Sequence, residues 1–207
     1  MRNYKAFFIF LTFNLIITIP ALSQDYRSAE EADGIRVGTQ APSFTATDMR
    51  GEDFSLQQAL NQGPVVMIFY RGHWCPVCNR HLKAMQDSIH SIEQYGATLI
   101  AISPERVPLL GRTAEKTGAE FTLLHDEDFR VAKAYDVHFL PEEEDRIMYN
   151  TVLGARLEQA HSDDSQQLPI PATYVIDKNG TIVWRHFDPD HRVRASVNDI
   201  EEALKEL

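Results

Sequence analysis

The feature that most constrains the fold is a close pair of cysteines between an apolar run and the start of a helical pattern. Cys75 and Cys78 are the only cysteines of the chain, and they follow the continuous apolar run VVMIFY at residues 65–70. Such a run is typical of a strand buried on both faces. Pro76 suits the first turn of a helix, where its missing N–H has no intrahelical partner. The sequence therefore predicts a strand-to-helix turn with Cys75 at the helix N-terminus.

Strand and helix patterns alternate along the rest of the chain. The predicted strands lie at 44–48, 65–70, 99–102, 121–124, 172–177 and 181–187, and the predicted helices at 55–60, 76–95, 105–117, 129–135 and 197–207. This alternation indicates parallel strands joined by crossover helices, and the Lys178-Asn179-Gly180 turn predicts an antiparallel return strand. We expect an α/β chain with a thioredoxin-like fold: a central mixed sheet flanked by helices, an N-terminal extension, and a polar, irregular insertion at 137–168.

The first residues have the layout of a secretory signal peptide. Arg2 and Lys5 precede an almost wholly apolar run at residues 6–19, and the small residues of Ala21-Leu22-Ser23 suit a cleavage site. The alternative is an uncleaved membrane anchor, but the run is shorter than the about 20 residues that a spanning helix needs. We therefore expect cleavage after residue 23.

The chain is thereby divided into three parts and predicted to be exported. We expect a signal peptide at residues 1–23, a flexible lead-in at 24–37 and one thioredoxin-like domain at 38–207, in the periplasm or secreted. The formal net charge is −10 and no basic patch stands out, which argues against nucleic acid and membrane surfaces as partners. Outside the cytosol disulfides persist. The cysteine pair is therefore either a permanent structural disulfide or a redox-active dithiol that a dedicated reductant keeps reducing.

The position of the pair favours redox chemistry. Free N–H groups and the helix dipole stabilise a thiolate at a helix N-terminus, and Cys78, one turn further on, can close a disulfide with Cys75. Arg71 and His73 are near enough in sequence to add positive charge. A purely structural disulfide would stabilise the chain little, because it closes a loop of only four residues.

Metal binding is the competing interpretation. His73, Cys75, Cys78 and His81 supply two imidazoles and two thiolates, a set that zinc or copper accepts. Structural zinc sites usually join two separate pairs, however, whereas here a single turn would have to wrap all four ligands. We also expect His81 on the exposed side of the helix. No metal or other cofactor is therefore assigned.

A second part of the site is predicted at Leu168-Pro169-Ile170-Pro171. A proline directly before a buried strand is unusual, and a cis Ile170–Pro171 bond would turn the backbone toward the dithiol. The other interpretation is an ordinary proline at a strand start. The residues alone leave both open.

Four stretches together resemble a known family. They are GTQAPSFTATDMRGEDFSL (38–56), VVMIFYRGHWCPVCNRHL (65–82), ATLIAISPE (97–105) and LPIPATYVIDKNGTIVW (168–184). The chain resembles the peroxiredoxin-like proteins of the alkyl hydroperoxide reductase C/thiol-specific antioxidant (AhpC/TSA) family, which have a thioredoxin fold. The resemblance implies that Cys75 attacks a peroxide, that Cys78 resolves the product, and that Pro171 matches the thioredoxin cis-proline. It also implies a peroxide substrate and a thioredoxin-like or other dithiol reductant.

Departures from the family pattern keep a second activity open. Typical peroxiredoxins have Thr or Ser where this chain has Gly72, Pro where it has Ile68, and Arg where it has Pro171. Arg71 is the candidate to replace one of these groups. The Trp74-Cys75-Pro76-x-Cys78 stretch and Pro171 together resemble thioredoxin-type disulfide chemistry. Thiol peroxidase is thus the first hypothesis, with Cys75, Cys78, Arg71, Pro171 and Trp74 as site residues. A thiol–disulfide oxidoreductase is the alternative, and a metal-binding thioredoxin-fold protein is the second alternative.

Overall fold

A computed structural model describes residues 27–207, and its main feature is a seven-stranded mixed sheet. In chain order the strands are β1 (Thr45–Asp48), β2 (Asp53–Ser55), β3 (Val65–Phe69), β4 (Thr98–Ser103), β5 (Thr122–His125), β6 (His138–Phe139), β7 (Leu168–Pro169), β8 (Thr173–Ile176) and β9 (Ile182–His186). The helices are α1 (Leu56–Leu60), α2 (Pro76–Asp87), α3 (Ile89–Glu93), α4 (Val107–Thr117), α5 (Arg130–Ala134), α6 (Glu143–Thr151), α7 (Leu157–Ala160) and α8 (Val197–Lys205).

The sheet has the order β2-β1-β5-β4-β3-β8-β9, and β6 pairs with β7 in a separate two-stranded ladder. Strands β3, β4 and β5 are parallel, while β8 and β9 continue the sheet in antiparallel fashion. Helices α2 and α3 connect β3 to β4, and α4 connects β4 to β5. The predicted α/β class, with a central mixed sheet and crossover helices, is confirmed.

Strand β3 runs through the middle of the core. All five of its residues are buried, because β4 covers one edge, β8 covers the other and side chains pack on both faces. This is the environment that its unbroken apolar sequence predicts. The strand ends at Phe69, so the chain leaves the sheet directly toward the cysteines.

The helix predicted at residues 76–95 is two helices. Helix α2 ends at Asp87, and Ser88 has a non-helical backbone (φ −116°, ψ 19°). The carbonyl of Ser88 accepts a hydrogen bond from the hydroxyl of Ser91 at 2.8 Å, a local bond that competes with the helix ladder. The apolar spacing continues across this break, which explains why the pattern predicts one helix.

The insertion at 137–168 is more ordered than its polarity suggests. It contains α6, whose first turn carries Glu143, Glu144 and Asp145. Acidic side chains in a first turn interact favourably with the helix dipole, so the acidic run marks a helix start. The prediction of an irregular segment was wrong for this reason.

The lead-in expected to be flexible packs against the domain from residue 27 onward. Arg27 forms an ion pair with Asp136, and Ala32 is buried. The guanidinium of Arg185 donates to three consecutive carbonyls, those of Asp33, Gly34 and Ile35. These contacts hold the segment along β9. The predicted signal peptide at 1–23 lies outside the described residues. None of the helices between residues 27 and 207 is long and apolar enough to cross a membrane.

The Ile170–Pro171 bond is trans, since residues 27–207 contain no cis peptide bond. The cis interpretation of this bond was wrong. The β6–β7 ladder holds the preceding segment extended, with the N–H of Ile170 donating to the carbonyl of Val137 at 2.6 Å. An extended chain enters β8 without a reversal, so Pro171 is a strand-start proline.

Candidate redox site

The two cysteines lie where the loop after β3 leads into α2. Cys75 is the N-cap of α2, in extended backbone conformation, and Pro76 opens the helix. Its Sγ accepts a hydrogen bond from the N–H of Cys78 at 3.3 Å. The two residues form a disulfide, with a Cα–Cα distance of 5.3 Å. The sequence-based placement of Cys75 at the helix N-terminus is confirmed.

Both sulfur-bearing residues are almost inaccessible. Cys75 is 3% exposed and Cys78 is 0% exposed. Helix α6 contributes to this burial: the ring of Tyr149 packs on Trp74, with 5.2 Å between centroids. A cleft of about 310 Å³ reaches Cys75 between α2, α6 and the loop before α8. Its walls include the aromatic or apolar side chains of Trp74, Val77, Phe139, Met148, Tyr149 and Leu153.

Arg71 lines this cleft although it is only 3% exposed. Its Nη1 donates to the hydroxyl of Tyr149 at 3.2 Å, and its guanidinium lies over the rings of Phe139 and Tyr149 at 5.5 and 5.7 Å. Its Nε has no hydrogen-bond partner, and none of the ion pairs within residues 27–207 includes this side chain. Burial lowers the pKa of Arg71, while the hydroxyl of Tyr149 and the carboxylates of Asp145 and Asp190 act in the opposite direction. A thiolate or a ligand in the cleft can compensate the buried charge further.

A second guanidinium, that of Arg194, contacts the other sulfur. Its Nη2 lies 3.6 Å from the Sγ of Cys78. Burial, together with the charge of Arg71, lowers the pKa of Arg194 to about 9. This residue lies in the loop before α8 and was not identified from the sequence. The sequence gives no indication of this contact, because no motif surrounds Arg194 and 116 residues separate it from Cys78.

The two guanidinium groups therefore place a positive field at the disulfide, although the carboxylates of Glu30 and Asp145 also line the cleft. Burial, with the charges of Arg71 and Arg194, lowers the pKa of His191 to about 4. The neighbouring carboxylate of Asp190 is held by Arg192 at 2.8 Å. Such a field favours negative charge on the sulfur atoms when the disulfide is reduced.

Gly72 and His73 are fixed by a buried carboxylate that sequence reasoning did not single out. Glu105, which follows β4, accepts from the backbone N–H of His73 at 2.8 Å and pairs with its Nδ1 at 2.6 Å. Gly72 has a φ of +154°, and a Cβ there would lie 2.5 Å from the carboxylate of Glu105 and 2.7 Å from Nε1 of Trp74. A side chain cannot fit, so this chain has glycine where typical peroxiredoxins have Thr or Ser.

The four residues of the metal-binding hypothesis have other bonding partners. His73 is paired with Glu105, and the two sulfurs are bonded to each other. His81 is buried rather than exposed, with its Nε2 3.0 Å from the carbonyl of Ala195. Burial lowers the pKa of His81 to about 4. Within residues 27–207 no three His, Cys, Asp or Glu side chains are grouped to hold a metal ion.

Pro171 is buried beside the strand that leads to the cysteines. The carbonyl of the next residue, Ala172, accepts from the N–H of Phe69 at 2.8 Å, and Thr173 pairs with Ile68. The structure thus brings the predicted proline segment next to the end of β3.

Comparisons with known proteins agree with this arrangement. A family model described as AhpC/TSA family matches residues 37–185. The putative chloroplastic peroxiredoxin Q of Oryza sativa subsp. indica is 29% identical over 167 residues, which cover 79% of this chain and 66% of the relative. The chain therefore spans just under two thirds of that relative's length.

The chain is also similar to a relative that is named for thiol–disulfide exchange and to a solved structure. The thiol-disulfide oxidoreductase ResA of Geobacillus kaustophilus is 25% identical over 153 residues, covering 73% of this chain and 70% of the relative. The crystal structure of peroxidoxin BcpB from Mycobacterium tuberculosis superposes with a TM-score of 0.65 and 20% identity, covering 84% of this chain and 98% of that one. The similarity to this solved structure shows that the two chains share a fold. The matched family model, together with the dithiol at the start of α2, shows that the chain belongs to the AhpC/TSA family, as the resemblance of its motifs predicted.

Proposed function

We propose that the protein is a thiol peroxidase in which Cys75 attacks the peroxide and Cys78 resolves the product. The observation that carries the proposal is the position of Cys75, which is 3% exposed beneath α6 in a cleft of about 310 Å³. A hydroperoxide is small enough to enter such a cleft. A disulfide on another protein would need α6 to move away first.

In the first step the Cys75 thiolate attacks the outer peroxide oxygen. The O–O bond breaks and its electron pair leaves with the second oxygen, which takes up a proton and departs as water or an alcohol. Cys75 is then a sulfenic acid. The N-terminus of α2 stabilises the thiolate that starts the reaction.

In the second step the Cys78 thiolate attacks the sulfenic sulfur. The S–O bond breaks, the hydroxide takes up a proton and leaves as water, and the Cys75–Cys78 disulfide forms. The present structure has this product bond. A thioredoxin-like or other dithiol reductant returns two electrons and two protons, which restores both thiols.

Arg71 is the side chain that we propose to assist the attack. Its guanidinium lines the cleft, so its N–H groups that face the cleft can donate to the peroxide oxygen on which charge develops. It would thereby replace the Thr and Arg of typical peroxiredoxins, whose positions hold Gly72 and Pro171.

Thiol–disulfide exchange is the second candidate function. It is favoured by the Trp74-Cys75-Pro76 stretch and by the similarity to a thiol-disulfide oxidoreductase. In this case Cys75 attacks a disulfide on another protein, and Cys78 releases the mixed disulfide. The burial of both sulfurs under α6 is the observation against it.

Stopped-flow oxidation of the reduced protein by hydrogen peroxide separates the two candidates. Trp74 contacts Tyr149 and adjoins Cys75, so its fluorescence should report oxidation. A Trp184→Phe background removes the other tryptophan of the two in the chain. A rate far above that of a free cysteine, abolished by Cys75→Ser, supports the peroxidase. A rate equal to that of a free thiol, with fast oxidation by a protein disulfide, would establish the second candidate instead.

We also propose that the protein is exported, with residues 1–23 removed. The proposal rests on the charged start, the apolar run and the small residues of the N-terminal sequence. The N-terminal sequence of the protein isolated from its cells tests it. A chain beginning at Gln24 supports export, and an intact N-terminus contradicts it.

A further inference from the structure

A second cavity, of about 440 Å³, lies away from the cysteines. It is lined by residues of α4, by residues 154–160 of the insertion and by His73. Neither Cys75 nor Cys78 belongs to its lining. Its volume is in the range of pockets that bind small molecules.

The charged side chains that line this cavity are two arginines. Arg112 and Arg156 line it, and no carboxylate does. Neither guanidinium has an ion pair or hydrogen bond within residues 27–207. Glu115 is three residues from Arg112 on the same helix and does not pair with it, and Glu158 instead accepts from Gln166 at 2.7 Å. Both arginine side chains are exposed to solvent, so their guanidinium groups are free to bind an anion that enters the cavity.

His73 brings a third group to the cavity. Glu105 pairs with its Nδ1, and its Nε2 has no partner among the described residues. The Nζ of Lys116 donates to its carbonyl at 2.9 Å, which places a further positive charge close by. The carboxylate of Glu105 thus orients the imidazole so that its Nε2 side faces the cavity, and this nitrogen donates to an anion only in the imidazolium form.

The backbone at Arg156 is held in an uncommon conformation. Its φ of 50° and ψ of 52° lie in the left-handed region, which non-glycine residues rarely adopt. The carbonyl of Arg156 accepts from the N–H groups of Gln159 and Ala160 at 2.9 and 2.8 Å. The N–H of the preceding residue, Ala155, donates to the backbone carbonyl of Tyr149 at 2.9 Å. Such over-determined backbone strain is concentrated at functional positions, and here it fixes where the Arg156 side chain starts.

We infer that this cavity binds a small organic anion carrying phosphate or carboxylate groups, which Arg112 and Arg156 contact from opposite elements. Planar guanidinium groups bind both oxyanions through paired N–H donors. The side-chain amide of Gln159 adds a neutral donor to the same lining. The inference goes beyond the proposed peroxidase, since a hydroperoxide needs neither arginine and the cysteines lie elsewhere.

Isothermal titration calorimetry at low ionic strength tests the site with inorganic phosphate and with citrate. We expect saturable binding of one anion per chain. Arg112→Ala and Arg156→Asn should each weaken it by about tenfold or more, as expected for loss of a charge-assisted hydrogen bond. Asparagine is chosen at 156 because it tolerates the left-handed conformation. The matched control is Arg50→Ala, which removes one exposed, unpaired positive charge outside the cavity.

The pattern of results identifies the chemistry and can overturn the inference. Tighter phosphate binding points to phosphate esters, and tighter citrate binding points to polycarboxylates. Hydrogen exchange should slow at residues 154–160 when the anion is present. No binding of either anion at millimolar concentration overturns the site. So does equal weakening by Arg50→Ala, or protection confined to other segments.

Discussion

The Nη2 of Arg194 lies 3.6 Å from the Sγ of Cys78, across 116 residues of sequence. Cys75 has the N-terminus of α2 to stabilise its thiolate, whereas Cys78 is the third residue of the helix. The second cysteine thus has its own cation, and the two sulfurs are stabilised from different parts of the chain.

We predict that Arg194→Met makes the disulfide harder to reduce. The guanidinium stabilises the Cys78 thiolate, which exists only in the reduced protein, so its loss disfavours the reduced state. The reduction potential should fall by on the order of 30 mV, which corresponds to about a tenfold change in the equilibrium constant. Equilibration with dithiothreitol redox buffers measures it. Arg80→Met is the control, because Arg80 is exposed on α2. This substitution removes the same charge without touching Cys78. Equal potentials in the two variants would contradict the assignment of Arg194.

We predict that Arg71→Met slows oxidation of the reduced protein by hydrogen peroxide about 100-fold, the magnitude seen when a preorganised donor is removed. Arg71→Lys should not restore the rate, since a lysine lacks the planar fork that stacks on Phe139 and Tyr149. Stopped-flow fluorescence provides the rates.

Tyr149→Phe is the matched control for Arg71. It removes the hydroxyl that accepts from Arg71 and keeps the ring that stacks on Trp74. We expect a much smaller decrease in rate, because the guanidinium stays in place. If Arg71→Met reacts as fast as the unchanged protein, Arg71 has no part in the attack.

Local sequence was sufficient to place one half of the site. The apolar run of β3 and Pro76 at the start of α2 lie within a few residues of Cys75, so buried-strand and helix-start rules fix that turn. Arg71 is found by the same local reasoning. The resemblance of four stretches then gave the family.

The other half of the site depends on contacts that no local pattern encodes. Arg194 and Tyr149 reach the dithiol only because the loop before α8 and the insertion fold over it. His81 was placed on the wrong face of α2, since the loop containing Ala195 covers it. Glycine at 72 has a physical reason only once Glu105 is seen beside it.

We predict that Gly72→Ala destabilises the protein. A methyl group at this position meets the buried carboxylate of Glu105 and the indole of Trp74, and the φ of +154° disfavours any side chain. The free energy of unfolding in urea should fall by about 2 kcal/mol or more. Gly111→Ala is the control: it lies within α4, where an added Cβ meets no atom within 4 Å. Alanine there should raise the stability by up to about 1 kcal/mol. Equal effects at both positions would show that the space around Gly72 is not restrictive.

We predict that His161 makes the fold less stable in mild acid. It is 0% exposed, neither ring nitrogen has a hydrogen-bond partner, and its ring packs edge-on against Phe129. Burial, with the positive charges of His125 and Arg106, lowers the pKa of His161 to about 3 from its ordinary 6.5. The unfolded chain therefore takes up a proton below pH 6.5 that the folded chain does not. The stabilisation is complete above pH 6.5 and decreases as pH falls toward 3, by about 1.4 kcal/mol per pH unit.

His161→Leu should remove this part of the acid sensitivity. A leucine leaves no unsatisfied ring nitrogen, so we expect stability at pH 7 within about 1.5 kcal/mol of the unchanged protein. At pH 5 the variant should be the more stable of the two, as measured by urea unfolding at both values. Other groups keep contributing to the pH dependence of the variant. The pKa values of His81 and His191 are also lowered, to about 4, whereas burial raises the pKa of Asp126 to about 6, which acts with the opposite sign. His90→Gln is the control, because it removes an imidazole from the exposed surface instead of the core. A His161→Leu variant with the same stability difference between pH 7 and pH 5 as the unchanged protein would mean that His161 does not titrate with unfolding.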